Sequence, residues 1–209
     1  MKENQKHLAQ LLLQINAIKL NPANPFVWAS GWKSPIYCDN RVTLSFPEVR
    51  NYIRDEFSNI VKEKYPEADG IAGVATGAIA YGALVADVLG LPFVYIRSGV
   101  KSHGMGNLIE GDYSPDQKYV VVEDLVSTGG SSLKAVEALR VAGCKVLGMV
   151  AIFTYGFQKA VDNFSDKQCQ LDTLSNYEVL IDQAAESKYI NNNQVSLLKE
   201  WRKAPEQWK

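Results

Sequence analysis

The residues of this chain whose types and spacing could do chemistry gather in one stretch, Val120-Val121-Val122-Glu123-Asp124-Leu125-Val126-Ser127-Thr128-Gly129-Gly130-Ser131-Ser132. An apolar run leads into two adjacent acids, then a loop of small residues, then a helical pattern. Small side chains let backbone N–H groups converge on one point, and the positive end of the following helix reinforces them, so residues 127–131 read as a phosphate nest. The hydroxyls of Ser127, Thr128 and Ser131 add donors. Glu123 and Asp124 would repel a phosphate, so they should face sugar hydroxyls or a magnesium ion that the phosphates also touch. A phosphorylated sugar meets both demands. The segment contains neither the GxxxxGKS/T loop nor GxGxxG, which separates it from the commoner nucleotide sites. A plain strand-to-helix turn would explain the glycines and serines but not the paired acids.

A second stretch follows the apolar run 93–96: Arg97-Ser98-Gly99-Val100-Lys101-Ser102-His103-Gly104-Met105-Gly106-Asn107, continuing to about Pro115. It is glycine-rich, poor in apolar residues and longer than an ordinary loop, the composition of a functional lid. Arg97, Lys101 and His103 place three cations within seven positions. A solvated surface loop with scattered charges has the same composition, but the position opposite the phosphate nest favours the lid. A third stretch, residues 26–41, is aromatic and punctuated by proline, and could form a hood over a planar base. A packed surface loop would look alike. Ala75-Thr76-Gly77-Ala78, between a strand pattern and a helix pattern, reads from its residues as a turn whose glycine permits an unusual backbone conformation or as a tight helix start. The other histidine, His7, sits in a helical pattern with no metal-ligand spacing to His103 and reads as surface.

The elements that must position these residues follow from periodicity. Leu8, Leu11, Leu12, Ile15 and Ile18 recur at helical spacing until Asn21-Pro22, which predicts an opening amphipathic helix. Pro47 suits the first turn of a second helix, whose face carries Val49, Ile53, Phe57, Ile60 and Val61 until Tyr65-Pro66. From Gly70 onward, β-rich runs at 71–74, 93–96, 119–122 and 146–153 alternate with helical segments ending at Gly90 and Gly143. This alternation predicts an α/β fold with a parallel sheet and right-handed crossovers. Runs as continuously apolar as 119–122 are expected where helices cover both sheet faces. The ligand crevice of such a sheet lies beyond the carboxyl ends of its strands, where all the stretches above except the hood are placed. The tail, residues 186–209, is polar with Trp201 and Trp208, and is expected to be helical at least through Trp201.

Composition sets the frame. The 209 residues, 46% of them hydrophobic, can bury a full core, and one globular unit is expected. A net charge of -1 gives no sign of a nucleic-acid or membrane-surface protein. Cys38, Cys144 and Cys169 are scattered and odd in number, which fits a reducing compartment and points to the cytoplasm. No signal-peptide pattern and no run near the roughly 18 apolar residues of a membrane span is present.

On the acid pair and nest, the chain resembles the type I phosphoribosyltransferases, whose signature binds 5-phosphoribosyl-1-pyrophosphate (PRPP). The segment FxxxSGxxSPxY from Phe26 to Tyr37 and the KxHG ending at Gly104 further resemble the orotate phosphoribosyltransferase family, over nearly the whole chain. The resemblance implies a Rossmann-like central parallel sheet flanked by helices, with a small N-terminal hood, in a single domain over 1–209. Within it, 1–45 would supply a helix and the hood, 70–155 the core sheet with the PRPP site, and 186–209 a helical tail. It implies transfer of the phosphoribosyl group from PRPP to orotate, giving orotidine 5'-monophosphate and pyrophosphate in pyrimidine biosynthesis. Mg2+ would be held mainly through PRPP, near Asp124, with no direct protein ligand. A homodimer is implied, with lid residues acting across the interface, and no nucleic-acid or membrane partner.

Carried over by motif, Arg97, Lys101 and His103 are the catalytic lid cations and also bind PRPP. Glu123, Asp124, Leu125, Val126, Ser127, Thr128, Gly129, Gly130 and Ser131 form the PRPP loop. Ser127, Tyr37 and Cys38 would contact orotate. Three places depart from the family pattern: Ala29 and Ser98 stand where some members carry basic residues, and Thr154-Tyr155-Gly156 lacks an arginine for the orotate carboxylate. Lys33 and Arg41 could supply that charge, or Ser127 with backbone amides could bind the carboxylate by hydrogen bonds. A purine phosphoribosyltransferase and a PRPP-sensing regulator that binds nucleic acid are the alternative readings. The near-neutral charge counts against the second.

Overall fold

The opening helix forms as α1 (Lys2–Gln14), yet it stops before the apolar spacing does. Asn16 takes a left-handed conformation (φ 57°), which ends the helix, and Ile18 turns up instead in β1 (Ile18–Leu20). The computed structural model describes residues 2–27, 31, 33–97, 99 and 108–208. After β1 come β2 (Phe26–Val27), β3 (Lys33–Ser34), β4 (Ile36–Cys38) and a 3-10 helix (Asn40–Ser45). Then follow α2 (Pro47–Lys64), β5 (Gly70–Val74), α3 (Ile79–Leu89), β6 (Phe93–Ile96), β7 (Ile109–Glu110), β8 (Lys118–Val126) and α4 (Gly130–Val141). The chain continues with β9 (Lys145–Thr154), α5 (Gln158–Asp166), β10 (Leu171–Asn176), α6 (Tyr177–Glu186), α7 (Asn192–Lys203) and a final 3-10 turn (Pro205–Gln207). Two compact units result, Met1–Arg50 with Ser175–Lys209, and Asn51–Leu174.

The second unit is built on the sheet, whose strand order is β10-β9-β8-β5-β6-β7. β6, β5, β8 and β9 pair in parallel, as the alternation of strand and helix patterns predicts, while β7 closes one edge antiparallel to β6. Val120, Val121 and Val122 at its centre are fully buried, each worth roughly 1.5–3 kcal/mol relative to exposure. Their continuous apolarity therefore reports coverage of both faces. Glycines let neighbours come close: a Cβ on Gly82 of α3 would lie 2.6 Å from the Phe93 ring. Phe57 of α2 meets Tyr81 of α3 edge to face, with ring centroids 6.2 Å apart.

In the first unit, β1 pairs with β4 and β2 with β3, both antiparallel, giving the hood two small two-stranded sheets. Ser175 donates a hydrogen bond to the Gln5 carbonyl at 3.0 Å, tying the end of β10 to α1. The tail is helical where expected and is more than a solvated appendage. Trp201 of α7 is buried, packs against Tyr177 at 5.5 Å and directs its indole N–H to the Lys33 carbonyl of β3 at 3.4 Å. Asn191 and Gln194 close a capping box at the start of α7, so the segment has its own helix-start signal. Among the described residues, no helix is long and apolar enough to cross a membrane.

Candidate active site

β8 runs further than its valine core suggests, so Glu123 and Asp124 lie within its last turns rather than beyond them. Successive strand residues face opposite sides, which sends the two carboxylates in different directions. Glu123 faces α4. It is only 4% exposed, accepts a hydrogen bond from the Ser132 hydroxyl at 2.8 Å and another from the Asp124 backbone N–H at 2.9 Å. Burial, then the neighbouring Asp124 charge, pushes the Glu123 carboxyl up to about 8. Asp124 is half-buried and faces the 75–78 loop, where a Cβ added to Gly77 would fall into its carboxylate. The loop after β5 thus meets the end of β8 at Asp124, and Gly77 is what permits the approach.

The turn from β8 into α4 forms where the sequence places it. Gly129 caps α4 in a left-handed conformation (φ 81°), a position that favours glycine, and a Cβ there would also strike the Phe164 ring at 2.7 Å. Ser127 and Thr128 are half-buried, while Gly130 and Ser131 at the first turn of α4 are exposed. The carboxyl end of β8 is pinned from β9: the Thr154 hydroxyl donates to the Val126 carbonyl at 3.1 Å and accepts from the Gly156 N–H at 3.1 Å. Leu125 and Val126 are aligned with Phe153 and Thr154 of β9 and contribute backbone to this end.

Arg97 leaves β6 beside the same sheet end. Its backbone N–H donates to the Leu108 carbonyl at 2.9 Å, and its guanidinium pairs with Glu110 at 3.3 Å. Arg97 and Ser131 both border a cleft of about 570 Å³ whose wall also includes Ala75, Ile96 and Leu108. Lys101 and His103 of the expected lid, and Ser98, lie outside the described residues. In the hood, Trp28, Ala29, Ser30 and Trp32 also lie outside them, while Tyr37 and Cys38 are described on β4. The Tyr37 ring is exposed and lies 5.6 Å from that of Phe26, and the Cys38 thiol donates to the Asn40 side chain at 3.4 Å. Arg41 is held by Asp39 through two bonds, Nε to Oδ1 at 2.7 Å and Nη2 to Oδ2 at 2.8 Å. Tyr155, where an arginine would suit a carboxylate, is buried between Phe153 and Phe157 at 5.7 and 5.4 Å.

One partner of the site escaped the motif reading: Ser132 sits in the quoted segment, but its role as the Glu123 donor depends on α4 folding back onto β8. Gly77 lies in a stretch the sequence singled out, but its approach to Asp124 on β8 is visible only in the fold.

The buried acid has a measurable consequence. Glu123 titrates near 8 in the fold against an ordinary 4.5, so the unfolded chain releases this proton first. Its contribution to stability therefore falls as pH rises from about 4.5 to about 8, then levels off. Glu123→Gln is expected to remove that slope, raising the melting temperature of the unliganded protein more at pH 8 than at pH 5. Equal shifts at the two pH values would contradict the protonated, buried state.

Comparison with known proteins agrees with this geometry. The family described as Phosphoribosyl transferase domain matches residues 46–188. The orotate phosphoribosyltransferase of Phocaeicola vulgatus is 60% identical over 208 residues, covering 100% of this chain and 98% of its own. The crystal structure of orotate phosphoribosyltransferase from Aeropyrum pernix superposes with a TM-score of 0.77 at 26% identity, over 88% of this chain and 99% of that one. The structure of Leishmania donovani UMP synthase matches with a TM-score of 0.79 at 23% identity, over 98% of this chain and 42% of that one, a likeness of fold. With an acid-bearing strand end, a glycine-shaped turn into α4 and full-length identity of this order, the chain belongs to the orotate phosphoribosyltransferase family, pentosyltransferases built on the type I phosphoribosyltransferase fold.

Proposed function

We propose that the chain transfers the 5-phosphoribosyl group of PRPP to orotate, forming orotidine 5'-monophosphate and pyrophosphate. The observation that most supports this reading is the junction of β8 and α4. There a nest of small residues for the 5-phosphate follows directly on a carboxylate, Asp124, presented at the strand end for the ribose hydroxyls. Asp124 carries the larger share of sugar recognition, because the Glu123 carboxyl is buried and already occupied by Ser132. Glu123 shapes the strand end from behind.

In the reaction the bond from C1 of the ribose to pyrophosphate breaks, a bond from C1 to an orotate ring nitrogen forms as that nitrogen gives up its proton to solvent, and pyrophosphate leaves with its charge. Positive charge develops on the sugar and negative charge on the leaving group, so cations near the diphosphate lower the barrier. Arg97, Lys101 and His103 are the proposed cations, on family resemblance, with Lys101 the principal one. Mg2+ is proposed, on family resemblance, as an ion carried mainly by the diphosphate. Asp124 would face the ion, which when bound would offset negative charge on the departing group.

Ser127, Tyr37 and Cys38 are the proposed orotate contacts, again on family resemblance. Arg41 is a poor candidate for the orotate carboxylate because Asp39 already satisfies its guanidinium and holds its own carboxyl below the usual range through that pairing. Arg41→Ala is expected to leave the KM for orotate within about twofold, since exposed ion pairs of this kind contribute about 0–1 kcal/mol. A rise of more than tenfold would return Arg41 to the carboxylate. A homodimer sharing lid residues, acting in the cytoplasm without nucleic-acid or membrane partners, completes the reading.

The base is tested by supplying PRPP and Mg2+ with orotate, adenine, hypoxanthine or xanthine in turn. Consumption of orotate alone is expected; turnover of a purine in its place would transfer the chain to the purine branch of the fold.

A further inference from the structure

We propose that Asn163 is a positioning residue for the phosphate nest: from α5 it fixes the peptide between Thr128 and Gly129 so that this peptide's N–H is presented to the 5-phosphate. The inference rests on the PRPP reading above and deepens it. The Asn163 side-chain amide donates to the Thr128 carbonyl at 2.8 Å. Cis peptides among the described residues are confined to Ala75-Thr76, so the Thr128-Gly129 peptide is trans and its C=O and N–H point to opposite edges of one plane. Holding the carbonyl toward α5 therefore turns the Gly129 N–H away from α5, toward the concave side of the loop. A preorganised donor of this kind needs no reorientation when the anion arrives.

The next residue of α5 works on the same spot. Phe164 is buried with its ring against Gly129, at the place a Cβ would occupy, and Gly129 holds φ 81°. The Gly129 carbonyl is itself taken by the Leu133 N–H at 2.9 Å in the first turn of α4. The Thr128 carbonyl is thus held from α5 and the Gly129 carbonyl by the first turn of α4, while Thr154 pins Val126 just upstream. Asn163 is half-buried and reaches the loop at the Thr128 carbonyl, so its effect should reach the phosphate through this one peptide.

Calorimetric titration of the full chain with PRPP in the presence of Mg2+ tests this on three variants. Asn163→Leu keeps the size but removes the donor, and should weaken PRPP binding about fivefold, the size of one net hydrogen bond. Asn163→Asp replaces the donor by a second acceptor and should weaken it more. Asn163→Gln retains the donor and should stay within about twofold of the unmodified protein. The KM for orotate should not move in any of them, which a general loosening of the site would not permit. Should the leucine variant fail to fold, the aspartate and glutamine variants carry the comparison. Unchanged PRPP affinity on losing the donor, or equal losses for Gln and Leu, would overturn the proposal. An unmodified protein that binds PRPP but ignores orotate sinks the base assignment and leaves the bracing intact; one that binds no PRPP overturns both.

Discussion

Lys101→Ala is expected to slow orotate turnover by about 100- to 1000-fold, the usual cost of removing one preorganised donor from a site where charge develops. The loss should fall on kcat and on kcat/KM together, because the leaving group acquires its charge only as the bond to C1 breaks. Affinity for PRPP measured without turnover should change far less. Steady-state kinetics beside an equilibrium titration separates the two: a variant with intact kcat and a raised KM would make Lys101 a ground-state contact and leave the leaving group without its main cation. Arg97 provides an internal comparison. It already pairs with Glu110, so Arg97→Ala removes a cation whose charge is partly compensated, and a smaller loss of kcat is expected than for Lys101.

Gly77→Ala is the second large effect. The added methyl would occupy the position of the Asp124 carboxylate, so either that carboxylate or the loop after β5 has to move. Hydrogen bonds to a charged acceptor are worth about 1.5–3 kcal/mol, and losing the proper presentation of Asp124 should lower kcat/KM for PRPP about 10- to 100-fold. The substitution acts through Asp124, so its effect and that of Asp124→Asn should not add: the double variant is expected to be little worse than the more damaged single one. Additive losses would mean that Gly77 serves the site by another route. Circular dichroism and the melting temperature distinguish both results from a collapse of the sheet end.

The core of the fold was readable because its central strands, β5 and the first half of β8, are buried on both faces. Residues 71–74, 93–96 and 119–122 are apolar at nearly every position and bounded by glycine, proline or charged residues, and they match β5, β6 and the first half of β8. Ile18 was misread for an opposite reason. It falls in helical register with Leu11 and Ile15, and a three-residue strand is too short to show its own period, so only the left-handed Asn16 reveals the break. β7 was hidden likewise: two residues at a sheet edge carry no pattern.

The turn from β8 into α4 was legible because glycine and serine between a strand and a helix are demanded by local backbone geometry. The different fates of Glu123 and Asp124 were not, since adjacent acids look equivalent until α4 brings Ser132 to one and the loop after β5 brings Gly77 to the other. Asn163 is further removed still. It stands 35 residues from Thr128 in an amphipathic helix, where an asparagine carries no sign of what it will touch.

The most direct test of the central claim follows orotate by its ultraviolet absorbance after PRPP and Mg2+ are added to the purified protein, with released pyrophosphate measured in parallel. Orotate should disappear only when PRPP is present, with one pyrophosphate formed for each orotate consumed. Orotate left untouched, while PRPP still raises the melting temperature, would contradict the account: the sugar-phosphate site would stand, and the transfer to orotate would not.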